Sequence, residues 1–178
     1  MMDSKTRILD IAEQQMRQRG YNAVSYRDIA AEMGIKSASL HYHFPKKSDL
    51  GRALVARYRE TIYKSLASKG DSLPPETRLS GFIDIYGQAL TERNLLCLCV
   101  VFGAEIVSLP EDVVAEVNLF FEQAISYLDV LYKEMGHASP QAQAQATFSA
   151  LNGALIVAFV HRDISVFDAT VAMILRAG

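Results

Sequence analysis

Apolar residues recur at helical spacing along the chain, and no segment alternates in the manner of a β-strand. A first amphipathic helix is predicted over residues 4–19, with Gly20 as its C-terminal stop. Ser25 and Asp28 have the spacing of a capping box, which predicts a second helix over residues 26–33. The pattern as a whole predicts an all-α fold of about nine helices.

A short third helix is predicted over residues 37–44, after Gly34 ends the second helix in a left-handed conformation. Because successive side chains on a helix lie roughly 100° apart, Leu40 and Phe44 share the inward side. Ile35 is predicted to enter the core at the turn. Two short helices joined in this way form a helix-turn-helix, whose second helix can enter the major groove of DNA. The outward side of that helix carries Ala38, Ser39 and Tyr42, flanked by His41 and His43.

Pro45 interrupts the helical pattern, and a long connecting helix restarts near Lys47 and runs to about residue 69. Residues 70–75 contain glycine, serine and two prolines and are the only plausible domain boundary. Residues 95–109 are apolar nearly all round, which predicts a central helix wrapped by the others. The remaining predicted helices cover residues 76–93, 110–135, 139–161 and 165–176, the last opened by a capping box of Ser165 and Asp168.

The charge of the chain is divided unevenly between its two ends. Residues 1–69 hold 13 Lys and Arg against 7 Asp and Glu, whereas residues 70–178 hold 5 against 13. The basic end contains the predicted helix-turn-helix, as expected of a module that binds a polyanion; an ordinary solvated surface with uneven charge is the alternative. The predicted domains are residues 1–47, for DNA binding, and residues 48–178, of which residues 48–69 form the connecting helix.

The N-terminal third of the chain carries several motifs that are specific in combination. They are Ile8-Leu9-Asp10, Arg19-Gly20-Tyr21, residues 25–30, and residues 34–50 with Leu40-His41-Tyr42-His43-Phe44 and Lys47. Together these motifs resemble the TetR/AcrR family of bacterial transcriptional regulators. The resemblance implies a homodimer of nine-helix chains, with three N-terminal helices on an operator and the last two helices in a four-helix dimer interface. It also implies a cavity in the larger domain, where an effector would shift the fourth helix and change the spacing of the two DNA-binding heads.

The resemblance further implies which residues contact DNA. Their chemistry supports the same division of roles, because hydroxyl and ammonium groups suit phosphates whereas guanidinium, hydroxyl and imidazole groups can reach base edges. The phosphate contacts are Ser25, Tyr42 and Lys47, and the base contacts are Arg27, Ser39, His41 and His43. The family often has Tyr at positions 41 and 43, and Lys or Gly at positions 37 and 38. The operator sequence therefore cannot be carried over.

Candidate effector-binding residues lie on the helices that would surround a cavity in the larger domain, although each of the aromatic ones also suits a plain core. Glu105 differs, because a carboxylate within an apolar helix must be paired, hydrated or protonated. It either anchors a polar group of the effector or pairs with a neighbouring basic or hydroxyl side chain. The complete set is Phe82, Tyr86, Cys97, Phe102, Glu105, Phe121, Tyr127, Phe148 and Asn152.

Cys97 and Cys99 admit two interpretations. If the sixth helix starts near Asn94, Cys97 lies in its first turn, where the helix dipole and Arg93 favour a thiolate that would sense oxidants or electrophiles. Otherwise both sulfurs are inert filler of an apolar helix. The two cysteines are too close in sequence to close a useful disulfide loop, which indicates a reducing cytoplasm.

Other classes of function are not indicated. His41 and His43 diverge by about 160° on a helix and cannot hold one metal ion. No nucleophile lies beside a recognisable base, and no phosphate-binding loop appears, so neither an enzyme nor a cofactor site is predicted. The longest uninterrupted apolar run, residues 95–104, is shorter than the ~20 residues that a membrane helix needs, and no signal peptide is visible. A soluble cytoplasmic protein without a membrane partner is predicted.

The sequence thus predicts a homodimeric repressor that binds a palindromic double-stranded DNA operator and is released by a small, partly apolar effector. Two half-sites are needed because one short helix makes few base contacts, each good bidentate contact contributing roughly 1–3 kcal/mol. The predicted dimer interface is a flat face of the helix over residues 139–161, beside the last helix, formed by Ala142, Ala146, Ala150, Ala154 and Ala158. The alternatives are a cysteine-based sensor of oxidants or electrophiles and an effector-free DNA-binding protein.

Overall fold

The computed structural model describes residues 3–68 and 72–177, with the backbone alone at residues 92, 93 and 177. Within these residues the chain forms nine α-helices and a short 3-10 helix, and no β-strand. The predicted all-α fold is therefore confirmed. The helices are α1 Ser4–Arg19, α2 Tyr26–Met33, α3 Ser37–His43, α4 Lys47–Ser68, α5 Pro75–Arg93, α6 Leu98–Ala104, α7 Glu111–Glu134, α8 Pro140–His161 and α9 Ser165–Ala177, with the 3-10 helix at Ile106–Ser108.

The ends of α2 are formed by the residues that the sequence indicated. The Asp28 backbone N–H donates to Ser25 Oγ at 3.3 Å, and the Ser25 N–H donates to Asp28 Oδ2 at 2.8 Å, which completes the capping box. Hydrogen bonds to Oδ2 from the Ser25 hydroxyl and from the Ser25 backbone N–H lower the pKa of the Asp28 carboxyl. Gly34 ends the helix in the left-handed region, with φ of 70°. Both predicted features are confirmed.

The chain divides into two compact units. The first contains residues 1–60 and 97–120, and the second contains residues 61–96 and 121–178, so α4 and α7 contribute to both. This division follows packing and does not test the predicted boundary after residue 47, which concerns function. The predicted boundary segment, residues 70–75, lies partly outside the described residues.

The first unit has its core between the three N-terminal helices, the beginning of α4, α6 and the beginning of α7. Ion pairs join its elements at the rim: Arg57 of α4 binds Asp10 at 2.6 Å and Glu13 at 3.1 Å, both on α1. Arg59 of α4 binds Glu116 of α7 at 3.4 Å. The fully buried core side chains of this unit include Ile8, Ala12, Met16, Ile29, Leu40, Leu50, Leu54, Phe102 and Val113.

The second unit is organised around aromatic side chains. The rings of Phe82 and Tyr127 stack with centroids 5.6 Å apart, and Phe121 meets Phe148 edge-on at 5.3 Å. Helix α8 packs against α5 and α9 in this unit. One buried polar pair lies within the apolar packing, the hydroxyls of Tyr132 and Thr147, which are 2.7 Å apart.

Three predictions about local structure are wrong. The segment predicted as one helix over residues 95–109 contains only the seven residues of α6 and the 3-10 helix, because the backbone is not helical at Cys97, with ψ of 133°, or at Glu105, with φ of −100°. Apolar composition indicates burial but does not fix where a helix ends. Ile35 is 38% exposed and does not enter the core. The amide of Ser165 donates to Asp163 Oδ1 at 2.9 Å, so Asp163 supplies the carboxylate that Asp168 was predicted to supply.

The predicted row of alanines on α8 is only partly exposed. Ala142, Ala146 and Ala150 are exposed, whereas Ala154 and Ala158 are buried. The reason is geometric, since a spacing of four residues drifts by ~40° at each step around a helix of 3.6 residues per turn.

Helix α8 has 22 residues, and the mean hydropathy of its most apolar 18 residues is 1.3, so by length and composition it could cross a membrane. The prediction from uninterrupted apolar runs overlooked it, because scattered Gln, Thr, Ser and Asn interrupt its sequence. Its buried side packs on α5 and α9, and 39% of those 18 residues are buried. The core helices of soluble proteins meet the same criterion.

The buried pair of Tyr132 and Thr147 gives a test of packing in the second unit. Replacing Tyr132 by Phe removes a hydrogen bond between residues that are 0% and 2% exposed, and we expect the free energy of unfolding to fall by about 1 kcal/mol. Thr147→Val should cost a similar amount. The double variant should lose less than the sum, because neither hydroxyl is then left without its partner.

The measurement is urea denaturation at one protein concentration, with Tyr42→Phe as the control. Tyr42 is 85% exposed, so its hydroxyl contributes no buried hydrogen bond. Strictly additive losses from the two single variants would show that the hydroxyls do not stabilise each other.

Candidate nucleic-acid interface

Helix α3 presents a polar face to solvent and an apolar face to the core. Leu40 is 0% exposed and Phe44 is 3% exposed, whereas Tyr42 is 85% exposed. Ala38 and Ser39 are exposed on the same side as Tyr42. The predicted orientation of the helix is confirmed, and its outward face begins with small side chains and ends with a ring.

The two histidines of α3 are in different surroundings. The His41 ring lies 4.7 Å from the Tyr26 ring, and its Nδ1 is 3.3 Å from the carbonyl oxygen of Pro45. His43 is half-buried, and its ring meets the Tyr42 ring edge-on at 5.2 Å. His41 is therefore held against Tyr26 and the Pro45 carbonyl at one edge of the helix, and His43 is held beside the exposed ring of Tyr42.

Tyr26 fixes the connection between α3 and α4. Its hydroxyl lies 2.8 Å from the carbonyl oxygen of Phe44 and 2.6 Å from that of Lys46, and it donates its single proton between them. Burial, assisted by the charge of Asp49, raises the pKa of Tyr26 far above its ordinary value, so the hydroxyl stays a donor. This role has no signal in the sequence, because the two acceptors are backbone oxygens 18 and 20 residues away.

The residues predicted at the start of α2 are exposed. The Ser25 hydroxyl is already engaged in the capping box, where it lies 2.5 Å from Asp28 Oδ2. Arg27 follows within the first turn and is exposed. Its guanidinium is therefore accessible to solvent.

Lys47, the first residue of α4, is held against the turn between α1 and α2. Its Nζ donates to the carbonyl oxygen of Asn22 at 3.4 Å and lies 4.4 Å from the centroid of the Tyr21 ring. Burial lowers the pKa of Lys47, and the carboxylates of Glu105 and Asp28 oppose that shift. The pKa of Tyr21 is raised to about 12, by burial and by the charge of Asp112.

Glu105 also contacts the turn between α1 and α2, at Asn22. Its Oε2 accepts from the backbone N–H and from the side-chain Nδ2 of Asn22, each at 3.1 Å. Asn22 Nδ2 also donates to Ser108 Oγ at 2.8 Å. The carboxylate is thus paired, but its partner is an amide and not the basic or hydroxyl side chain that one of the two interpretations from sequence named. Asn22 itself was not predicted, since the two residues are 83 positions apart.

The two cysteines are buried at the start of α6, with Cys97 2% and Cys99 0% exposed. Burial raises the pKa of the Cys97 thiol, but hydrogen bonds from Cys99, Tyr58 and the Val100 amide outweigh it and lower the pKa to about 6. Burial raises the pKa of Cys99 well above its ordinary value. The predicted assistance from the side chain of Arg93 lies outside the described residues.

The predicted effector residues are divided between the two units. Cys97, Phe102 and Glu105 belong to the first unit, where the Phe102 ring meets Tyr21 edge-on at 5.4 Å. Asn152 of the second unit donates through Nδ2 to the Phe148 carbonyl oxygen at 2.8 Å, and its Oδ1 is buried without a hydrogen-bond donor among the described residues. The second unit brings together Phe82, Tyr86, Phe121, Tyr127, Phe148 and Asn152.

Two open cavities indent the second unit. One, of about 340 Å³, is lined by residues of α5 with Leu66, Leu73 and Tyr127. The other, of about 390 Å³, lies between the end of α5 and the residues that follow α8. Among the described residues, no three His, Cys, Asp or Glu side chains come together as a metal site would need.

Comparison with known proteins agrees with this geometry. The sequence model of the family described as "Bacterial regulatory proteins, tetR family" matches residues 8–54. A relative, the HTH-type transcriptional repressor KstR2 of Rhodococcus jostii, is 34% identical over 73 residues. That segment spans 36% of this chain and 36% of the relative, so the match covers little more than a third of either protein.

Two solved structures extend the likeness to nearly the whole chain. A TetR transcriptional regulator from Legionella pneumophila has a TM-score of 0.94 and 31% identity, covering 99% of this chain and 98% of its own. A TetR-family transcriptional regulator from Agrobacterium tumefaciens has a TM-score of 0.91 and 30% identity, covering 97% and 96%. The resemblance drawn from the N-terminal motifs is confirmed, and the protein belongs to the TetR family of transcriptional regulators.

Proposed function

We propose that this regulator is a repressor that binds a palindromic DNA operator as a homodimer and releases it when a small effector binds. The observation that carries the proposal is the outward face of α3, where Tyr42 is 85% exposed above a fully buried Leu40. The name of the Rhodococcus jostii relative, a transcriptional repressor, supports repression as the output.

The proposed DNA contacts divide by chemistry and position. Phosphates are contacted by Ser25, Tyr42 and Lys47, and base edges by Arg27, Ser39, His41 and His43. The excess of basic residues in the first 69 positions, 13 against 7 acidic, supports attraction to the DNA backbone. The contact of His41 with Tyr26 limits its reach to one edge of the groove.

The proposed dimer interface combines the exposed sides of α8 and α9. Both helices carry large apolar side chains on the surface: Ile156 is 43%, Val157 42%, Val160 70%, Met173 68% and Leu175 45% exposed. Exposed apolar groups so close together indicate a surface that another chain covers. Two half-sites on the DNA require two copies, which makes a second copy of this chain the fitting occupant.

The proposed effector site is the aromatic cluster of the second unit. Its rings offer apolar contact, and the buried Oδ1 of Asn152 offers an acceptor for a hydrogen-bond donor of the effector. An effector that is partly apolar and carries an N–H or O–H group fits this combination. Cys97, Phe102 and Glu105 are left out of this site because their side chains are engaged within the first unit.

A second candidate function is the sensing of electrophiles by Cys97. The lowered pKa, about 6, favours a thiolate that can add to an electrophile at neutral pH. Its exposure of only 2% opposes this role, because the reagent must wait for a local opening.

Base reading and phosphate binding are separated by two variants that each remove one positive charge. Arg27→Ala should weaken binding to the sequence that the wild type selects from a random DNA library by roughly tenfold or more, and weaken binding to a random duplex far less. Lys47→Ala should weaken both alike and lower the slope of log affinity against log salt by about one. Fluorescence anisotropy across a salt series measures both quantities. Equal losses on the two DNAs for both variants would show that this surface only positions the protein.

The dimer interface is tested by a charge at its most exposed aliphatic residue. Val160→Asp should shift the protein from twice the chain mass of 19.7 kDa toward the monomer in light scattering at micromolar concentration, because the carboxylate would be desolvated in the interface. Val107→Asp is the control, since Val107 is 100% exposed on the 3-10 helix, outside α8 and α9. A monomeric wild type, or a dimeric Val160→Asp, would contradict the proposed interface.

The cysteine-based alternative is tested with a benzoquinone, whose ring carbon the thiolate attacks while the ring gains the electron pair and a proton. If Cys97 is the sensor, the wild type and Cys99→Ser no longer bind the DNA sequence selected from the random library after treatment, whereas Cys97→Ser still binds it. The readout is anisotropy of the labelled DNA, with mass spectrometry to locate the adduct. Equal retention by all three proteins is the result expected from inert buried thiols and would remove this candidate.

A further inference from the structure

Asn22 lies between a carboxylate near the end of α6 and the ammonium group at the head of α4. Its backbone N–H and its Nδ2 donate to Glu105 Oε2, each at 3.1 Å. Its carbonyl oxygen accepts from Lys47 Nζ at 3.4 Å. One residue of the α1–α2 turn therefore links an acidic side chain that does not belong to the helix-turn-helix with a proposed phosphate contact.

The carboxylate packs directly on the main chain of the turn. A Cβ added to Gly20 would overlap Glu105 Oε1 and lie 2.9 Å from its Cδ, so a side chain at residue 20 would require the Glu105 carboxylate to move. Gly20 also has φ of 87°, in the region that favours glycine. The turn is thus shaped to receive the Glu105 side chain at contact distance.

Further contacts hold both partners of this link in place. Ser108 Oγ donates to the Glu105 carbonyl oxygen at 2.9 Å and accepts from Asn22 Nδ2 at 2.8 Å. On the other side, Tyr21 lies between Lys47, 4.4 Å from its ring centroid, and the edge-on ring of Phe102 on α6. Residues of α6, the 3-10 helix and the connection between them therefore contact the turn at two successive residues, Tyr21 and Asn22.

We propose that Glu105 is a positioning residue for DNA binding, which orients the Lys47 side chain through the backbone of Asn22. The proposal rests on the proposed DNA-binding function and adds a residue that contacts no DNA. Glu105 holds the backbone N–H of Asn22, and this orients the Asn22 carbonyl oxygen toward Lys47. The hydrogen bond to that oxygen limits the rotamers of the Lys47 side chain. A preordered ammonium loses less conformational entropy when it meets a phosphate.

The charge of Glu105 alone acts in the opposite direction. A carboxylate near Lys47 repels DNA phosphates, so simple removal of a negative charge should strengthen binding. Loss of the positioning contact should weaken it. The sign of the change therefore separates positioning from a general effect of charge.

The experiment measures binding of the DNA sequence that the wild type selects from a random library. Glu105→Ala should weaken binding about five- to tenfold, the low end of coupling between distinct sites. Glu111→Ala is the matched control, because it removes the same charge from an exposed residue in the first turn of α7. It should leave binding unchanged or slightly stronger. Glu105→Gln keeps an acceptor oxygen for the Asn22 N–H and should recover part of the loss.

The route through Lys47 is tested by combining variants. In the Lys47→Ala background, Glu105→Ala should weaken DNA binding little further. As a single variant, Glu105→Ala should give a slope of log affinity against log salt between those of the wild type and Lys47→Ala. A loss that is unchanged in the Lys47→Ala background, or an effect of Glu105→Ala equal to that of Glu111→Ala, overturns the inference while DNA binding stands. If Glu105→Ala does not fold, Glu105→Gln takes its place in the cycle. Failure of the wild type to select any sequence would instead remove the proposed function itself.

Discussion

A helix of seven residues is not stable by itself in water, so α3 depends on the packing beneath it and on the segments that hold its ends. Leu40 and Phe44 supply the apolar contact, and the hydroxyl of Tyr26 holds the backbone that follows. Because these anchors are all on the inward side, the outward side chains are free to be chosen for recognition. Within α3 and the residue that follows it, the inward side chains thus stabilise the helix and the outward side chains are available to contact DNA.

The helix-turn-helix could be predicted from sequence because its determinants are local. The capping box of Ser25 and Asp28 and the left-handed Gly34 act within one turn of the chain, and their residue types are specific for those roles. The inward position of Leu40 follows from helical period alone. The apolar character of Ile35, by contrast, predicts burial, but apolar character does not determine exposure at a turn.

The end of α6 and the partner of Glu105 could not be predicted, because both depend on contacts across many positions of the chain. Glu105 was recognised as unusual from its charge within an apolar segment, yet only the fold brings it to Asn22. The same limit applies to Cys97, whose thiol is influenced by the hydroxyl of Tyr58 on another helix. Sequence identifies a group that needs a partner, and packing decides which partner it has.

The pairing at Asn22 has a consequence for what residue 22 can be. Aspartate has nearly the shape of asparagine, but at this position it would replace an amide donor by a second carboxylate, 3.1 Å from that of Glu105. Two carboxylates at such a distance cannot both remain ionised, so one of them would have to take up a proton or move away. The identity of residue 22 is therefore constrained by a residue 83 positions later, and the two positions should be read as one chemical unit.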